Sequence, residues 1–340
     1  LRPPTRLELG TEKAPPEAGS WPLHVDPTIV PLDWHRVVKM ADGAPDGIKE
    51  GVQYAARWCA DPSLYGSTWP GVPIGHIPIA KLTEAQTRTL IGAGKIETYE
   101  GEIKSFVNGF LLPEKDKMRL RPIFEPLLNR SLDRDKLPIL AYPSRTQRRA
   151  RAEASQLIWE CDFRAWFDQL PLDGSTRSHF VLRVREPVDG CSLFALRRVP
   201  MGASFAPAVA QMVTWTLLWP LLGQEEAGVF VDTCLDNVRI GAADSKTFVR
   251  SVRTFLQRCD EVGVKIKERE RSNCSDEDLI GWGLQNKRQM TFLGEENLMH
   301  QNEYCTRNVA KQMDKLDEAY QRFEASIRLT SGDDRTEATR

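Results

Sequence analysis

Paired cysteines are missing from this sequence. The seven that it has stand singly at 59, 161, 191, 234, 259, 274 and 305, with no Cys-x-x-Cys among them. A disulfide framework and a zinc knuckle are therefore not expected, and a reducing, intracellular compartment is. Also missing is any run of 18 uncharged apolar residues, so no membrane span is expected. The opening Leu1-Arg2-Pro3-Pro4 has neither the apolar core of a signal peptide nor a methionine, which suggests a segment of a longer polyprotein or transcript. No global excess of basic charge is present, the formal net charge being −1. No internal repeat appears.

What is there describes a globular chain. Its 340 residues, 41% hydrophobic and 27% charged, are enough to bury a core for two or more subdomains. Residues 1–80 hold twelve prolines and are expected to form a Pro/Trp-rich extension outside the catalytic body, with Trp21, Trp34, Trp58 and Trp69 packing parts of it onto something.

Thr83-x-x-Gln86 is a capping box that opens a short helix ending at Gly92 or Gly94. Ile96 onward turns β-prone and runs into Phe106–Pro113. Pro207 fits the first turn of a helix with Ala208, Met212, Trp215 and Leu218/Trp219 on one face. Val229 to Leu235 reads as a strand, Asp236-Asn237 as a turn and Val238-Arg239-Ile240 as the returning strand. Ser245 starts an amphipathic helix, with Phe248, Val252, Phe255 and Cys259 inward, that stops at Gly263. A last helix is expected over Arg307–Ile327, and a polar, disordered tail beyond Leu329.

Charge is uneven. Between Pro113 and Arg151 eleven Lys/Arg face five Asp/Glu, a block suited to neutralising phosphates. Around it lie three short segments, about 35 to 40 residues apart. The first is Cys161-Asp162-Phe163-Arg164-Ala165-Trp166-Phe167-Asp168-Gln169-Leu170-Pro171-Leu172. The second is Val199-Pro200-Met201-Gly202, followed by Phe205-Ala206-Pro207 and Gln211. The third is Cys234-Leu235-Asp236-Asn237-Val238-Arg239-Ile240. An aspartate that ends an apolar strand can hold a divalent metal, and two such strands side by side hold two.

In this order the segments resemble the A, B and C motifs of reverse transcriptases of LTR- and DIRS-type retroelements, including the VIPER-like elements of trypanosomatids. The likeness covers Leu82 to Ile327. It implies an α+β right-hand polymerase fold: fingers at 81–157 and 173–205, a palm of antiparallel sheet backed by helices at 158–172 and 206–295, and the start of a thumb with the polar tail at 296–340. It also implies RNA-directed DNA synthesis with Mg²⁺, for which Mn²⁺ can substitute, on an RNA template, a DNA primer and dNTPs.

Residue by residue, the resemblance assigns metal binding to Asp162, Asp236 and the Phe163 carbonyl, and triphosphate binding to Lys115 and Arg121 in the basic hairpin Leu112–Ile123. The planar guanidinium suits phosphate oxygens. Phe167 matches the ring that excludes a 2′-hydroxyl. Met201, Gly202 and Gln211 would face the nascent base pair. A lysine of Gly263-Val264-Lys265-Ile266-Lys267 would protonate pyrophosphate; Lys265 is the candidate, and spacing does not separate it from Lys267. Leu293 and Gly294 match a primer grip.

The third segment departs from the family pattern, which has an aromatic residue two before a pair of aspartates; Cys234 and Asn237 stand in those places. A rival register would use Asp232. The alternative function is a polymerase-like domain without catalysis that binds RNA or protein as a structural component.

Overall fold

The computed structural model describes residues 21–65, 77–132, 137, 140, 142–267 and 274–290. Those up to Trp282 belong to one compact unit. A second unit is Gly283–Arg340, of which 283–290 are described and helical. The expected helix at Arg307–Ile327, the polar tail and the Leu293-Gly294 grip lie outside the described residues.

The first unit is α+β, with two sheets. Strands β1 (Ile96–Thr98), β2 (Phe106–Glu114), β3 (Arg119–Pro126), β5 (Val181–Val188) and β6 (Cys191–Leu196) form a mixed sheet in the order β1-β6-β5-β2-β3. β2 and β5 run parallel there and the other neighbours antiparallel. Strands β4 (Leu157–Asp162), β7 (Val229–Cys234) and β8 (Asn237–Ala242) form an antiparallel sheet in the order β4-β8-β7. Stretches 158–172 and 206–295, though separated in sequence, thus supply strands to the same small sheet.

Helices cover the small sheet because their apolar faces have nowhere else to go. In α6 (Ser245–Val262) the Asp244 side chain accepts from the Thr247 N–H at 2.9 Å, and Gly263 at φ 75° ends the helix. Between these caps Phe248, Val252, Phe255 and Cys259 are buried, with the Phe255 ring 5.7 Å from that of Trp159 on β4. The Thr83 capping box is formed and opens α3 (Glu84–Gly92). A second box at Ser144, with Gln147, opens α4 (Arg145–Ala154).

Residues 1–80 do not stand apart as an extension where they are described. α1 (Trp34–Met40) and α2 (Asp46–Ala60) share the core of the unit, and α2 packs along α5 (Ala206–Leu218). Trp58 is fully buried, its ring stacked 5.1 Å from Phe205 at the start of α5 and 5.9 Å from Tyr65. The prolines break the segment into short helices without releasing it from the core. Trp58 shows the stronger pull, burial of a large aromatic surface.

The hairpin after β7 turns one residue earlier than expected. Cys234 pairs with Asn237, so the loop is Leu235-Asp236 and Asn237 is the first residue of the returning strand. Leu235 takes φ +57°, a left-handed conformation that a branched side chain adopts only when its surroundings impose it. Among the described residues no helix is long and apolar enough to cross a membrane.

Candidate active site

β4 delivers Asp162 to the edge of the unit, and the β7–β8 turn delivers Asp236 beside it. Asp162 lies opposite Asn237 across β4 and β8, and the Phe163 N–H donates to the Asp236 carbonyl at 2.8 Å. The Asn237 amide donates to Asp236 Oδ1 at 3.2 Å. On the far side the chain at 264–267 pairs with residues 162–164: the Lys267 N–H donates to the Asp162 carbonyl at 2.9 Å and the Arg164 N–H to the Lys265 carbonyl at 3.0 Å.

The two lysines part company. The Lys267 ammonium sits on the Asp162 carboxylate, whereas Lys265 places its own on the Thr28 carbonyl. Lys267 lines the cavity described next and Lys265 does not. Of the two candidates for proton donation, it is therefore Lys267 and not Lys265 whose side chain reaches the cavity. In this irregular run the two lysine side chains, two residues apart, reach different partners, and the Lys265 N–H goes to Gln169 Oε1 at 2.8 Å.

A cavity of about 780 Å³ opens between the two sheets. Of the residues singled out in the sequence, Phe163, Phe167, Arg121, Met201 and Asp236 line it. Seven Lys/Arg and three Asp face into it, so the local field is positive although the chain is near neutral. Arg121 Nη2 lies 2.5 Å from Glu114 Oε1, and Arg119 meets the same carboxylate. Deeper in, Lys95 pairs with Asp168 at 3.0 Å. Burial first, and then the charge of Arg197, hold the Arg198 guanidinium below the ordinary arginine value.

Other candidates fall elsewhere. Lys115 is exposed in the turn between β2 and β3, while Lys117 reaches the cavity. Asp162 and Asn237 line a smaller adjoining hollow of about 350 Å³ with Cys161, Cys234 and Asp232. Gly202 approaches protein backbone: a Cβ there would sit 2.5 Å from the Phe124 carbonyl and 3.1 Å from Glu125 Cα on β3. Asn129 fixes that approach, donating to the Gly202 carbonyl at 2.7 Å and accepting from the Ser204 N–H at 2.9 Å.

Gln211 is fully buried and faces the strained turn, away from the cavity. Its Oε1 accepts from the Leu235 N–H at 2.8 Å and its Nε2 donates to the Thr233 hydroxyl at 2.7 Å. The Thr214 hydroxyl adds a 2.9 Å contact to the Leu235 carbonyl. These bonds hold Leu235 in its left-handed conformation and so aim Asp236. Gln211→Leu keeps the volume and removes both bonds, leaving a buried N–H and hydroxyl unsatisfied. The expected loss is about 1–3 kcal/mol of folding free energy. An unchanged denaturation midpoint in urea would mean that the bonds add nothing.

Gln169 is the other buried amide and carried no assignment from sequence. It accepts from the Lys265 N–H at 2.8 Å and donates to the carbonyls of Arg164 and Lys265 at 2.8 and 2.9 Å. This bracing shapes the turn Trp166–Gln169 that carries Phe167. Asp232, the rival acid, is buried in β7, with Arg151 Nη1 3.1 Å from its Oδ1 and Arg239 Nη1 3.9 Å from its Oδ2.

Among the described residues no three His, Cys, Asp or Glu converge as a metal-binding group. The donors at the paired strand ends, the Asp162 and Asp236 carboxylates and main-chain carbonyls, are hard oxygens. They suit Mg²⁺, which keeps waters and substrate phosphates as its other ligands. The ammonium of Lys267 against Asp162 marks a place where positive charge is held. No protein-family model matches the chain, and no curated protein matches it.

Proposed function

We propose that this chain is the polymerase region of a retroelement reverse transcriptase, which extends a DNA primer on an RNA template. The observation that carries the reading is one cationic cavity receiving Arg121, Phe163, Phe167, Met201 and Asp236, from four segments distant in sequence. A three-stranded antiparallel sheet backed by α6 supports a palm at 158–172 and 206–295. The mixed sheet that carries the basic hairpin supports fingers at 81–157 and 173–205. The partners are an RNA template, a DNA primer and dNTPs, inside the cell.

Asp162, Asp236 and the Phe163 carbonyl would hold the Mg²⁺ pair, which supplies activation of the primer 3′-hydroxyl and charge stabilisation on the triphosphate. The remaining work belongs to side chains. Arg121 and Arg119, now shared on Glu114, turn their donors to phosphate oxygens, which accept bidentately. Lys117 adds charge at the hairpin turn. Lys267 leaves Asp162 as substrate enters and becomes the ammonium that gives a proton to departing pyrophosphate, in place of Lys265. Gln211 and Asn129 hold the loops that present Asp236 and Met201.

Phe167 is the sugar filter in this reading. Phe167→Val opens the cavity floor and is expected to cut discrimination against ribonucleotides by at least about tenfold, or ~1.4 kcal/mol. The measurement is the ratio of rNTP to dNTP incorporation. Unaltered selectivity with dNTP incorporation intact would reduce Phe167 to packing.

Primer extension on an RNA template, with Mg²⁺ and then Mn²⁺, tests the whole proposal. A second reading draws on Asn237, an amide where the family carries a carboxylate: a non-catalytic domain that keeps the fold and binds RNA or protein. Retained RNA binding with silence in both metals would favour it.

A further inference from the structure

One wall of the cavity is a piece of chain that belongs to neither sheet. The Leu120 N–H donates to the Pro22 carbonyl at 2.8 Å and the His24 N–H to the Leu120 carbonyl at 2.7 Å, so Leu23 lies parallel beside β3. A few residues later the anchors change. Asp26 Oδ2 meets Arg164 Nε at 2.5 Å, the Thr28 carbonyl takes the Lys265 ammonium, and the Leu32 N–H donates to the Gln169 carbonyl at 2.8 Å. The segment is therefore fastened at one end to the strand of Arg119 and Arg121, and at the other to the turn that follows Asp162. Between these anchors His24 to Thr28 line the cavity.

We propose that this segment is part of the substrate-binding surface, and that the His24 imidazole contacts the polyphosphate of the bound nucleotide beside Arg119 and Arg121. The identity of the ligand rests on the nucleotidyl-transfer reading above. The geometry does not: a half-buried imidazole shares a cation-rich cavity with two guanidinium groups of the adjacent strand.

The charged groups facing His24 are Arg119 and Arg121 from β3, Glu114 from β2 and Lys95 from the turn before β1. Lys117 and, from its own segment, Asp26 share the cavity. Burial first, then Arg119 and Arg121, hold the imidazole below its ordinary value; Glu114 opposes them and Lys95 adds to the effect. The ring is thus neutral at neutral pH when the cavity is empty of anions. A polyphosphate neutralises the cations that depress it, so binding raises the histidine's pKa and draws in a proton. The contribution to affinity is full below the free-state value and is lost as pH rises through the bound-state one.

The test is calorimetric titration of the full chain with inorganic tripolyphosphate, without divalent metal, primer or template. Two buffers of different ionisation enthalpy report proton uptake. Because tripolyphosphate itself titrates, wild type is compared with His24→Gln, which hydrogen-bonds without charging, and with His24→Lys, which stays charged. At about pH 6 wild type is expected to bind about three- to tenfold tighter than His24→Gln, with the difference gone by about pH 8. His24→Lys should exceed His24→Gln at both. Equal affinities of wild type and His24→Gln at both pH values, with melting temperatures retained, overturn the proposal. So does failure of the wild type to bind tripolyphosphate, whether or not it extends primers. Histidine-dependent binding without any primer extension would leave the anion site standing and remove the polymerase reading.

Discussion

Asp162→Asn and Asp236→Asn are each expected to leave the protein folded and to lower primer extension by at least about a thousandfold, roughly 4 kcal/mol of transition-state stabilisation. Each change keeps the side chain's size and deletes one negative charge from the place where the proposed Mg²⁺ would sit. Asp162 ends β4 and Asp236 occupies the β7–β8 turn, and neither supports the core. Asp232→Asn should behave in the opposite way. Its carboxylate is buried against Arg151, so the amide removes a buried charge from this half-buried guanidinium, which keeps Glu225 and the Val231 carbonyl, and costs about 1–3 kcal/mol of stability. The extension rate per folded molecule should stay near that of wild type. Extension assays and urea denaturation on the same three proteins decide the matter. If Asp232→Asn is the variant that silences a well-folded enzyme, the register based on Asp236 is wrong; activity of Asp162→Asn within about tenfold of wild type removes that residue from the metal site.

Much of this architecture is written in local pattern, and the departures have local causes. Capped, amphipathic stretches such as Glu84–Gly92 and Ser245–Val262 could be read from sequence, because caps and apolar spacing act over a few residues. The β7–β8 hairpin is legible as a hairpin, but its turn falls one residue earlier than residue preference puts it. Asp-Asn is the better turn pair by preference, since both residues tolerate the left-handed region. Leu235 takes that conformation instead, because Gln211 and Thr214, on a helix more than twenty residues away, grip its N–H and carbonyl.

The same limit explains the lysines. Spacing selects a basic hairpin and a basic strand, but only tertiary packing turns Lys117 and Lys267 into the cavity and leaves Lys115 and Lys265 outside it. Side-chain amides are silent in hydrophobic patterning, so the bracing roles of the half-buried Asn129 and the buried Gln169 were not foreseen. Nor was the wall at residues 22–28. It has no period of its own and is held by contacts to residues about a hundred or more positions away. The cationic character of the site was half visible: the basic block at 113–151 supplies Lys117, Arg119 and Arg121, while Lys95, Arg164, Arg198 and Lys267 arrive by folding.

The place of α2 in the core leads to the other large expected effect. Trp58→Ala should destabilise the protein by about 3–5 kcal/mol, because it empties a fully enclosed site between helices that have little freedom to close over it. The indole is fully buried, stacks on Phe205, leans on Tyr65 and meets Tyr54 edge-on at 5.9 Å. The consequence reaches the proposed chemistry through one helix. Phe205 stands at the head of α5, and α5 carries Gln211 and Thr214, the two side chains that aim the Asp236 turn. Loosening α2 should therefore weaken primer extension together with the thermal transition. An independent extension would behave differently: Trp58→Ala, or deletion of residues 1–60, would leave the melting temperature and the activity of the remainder unchanged. Circular-dichroism melting with extension assays at a temperature where both proteins are folded separates the two. A melting temperature for Trp58→Ala within a degree or so of wild type would show that α2 is dispensable to the core, against the few degrees per kcal/mol expected for a unit of this size.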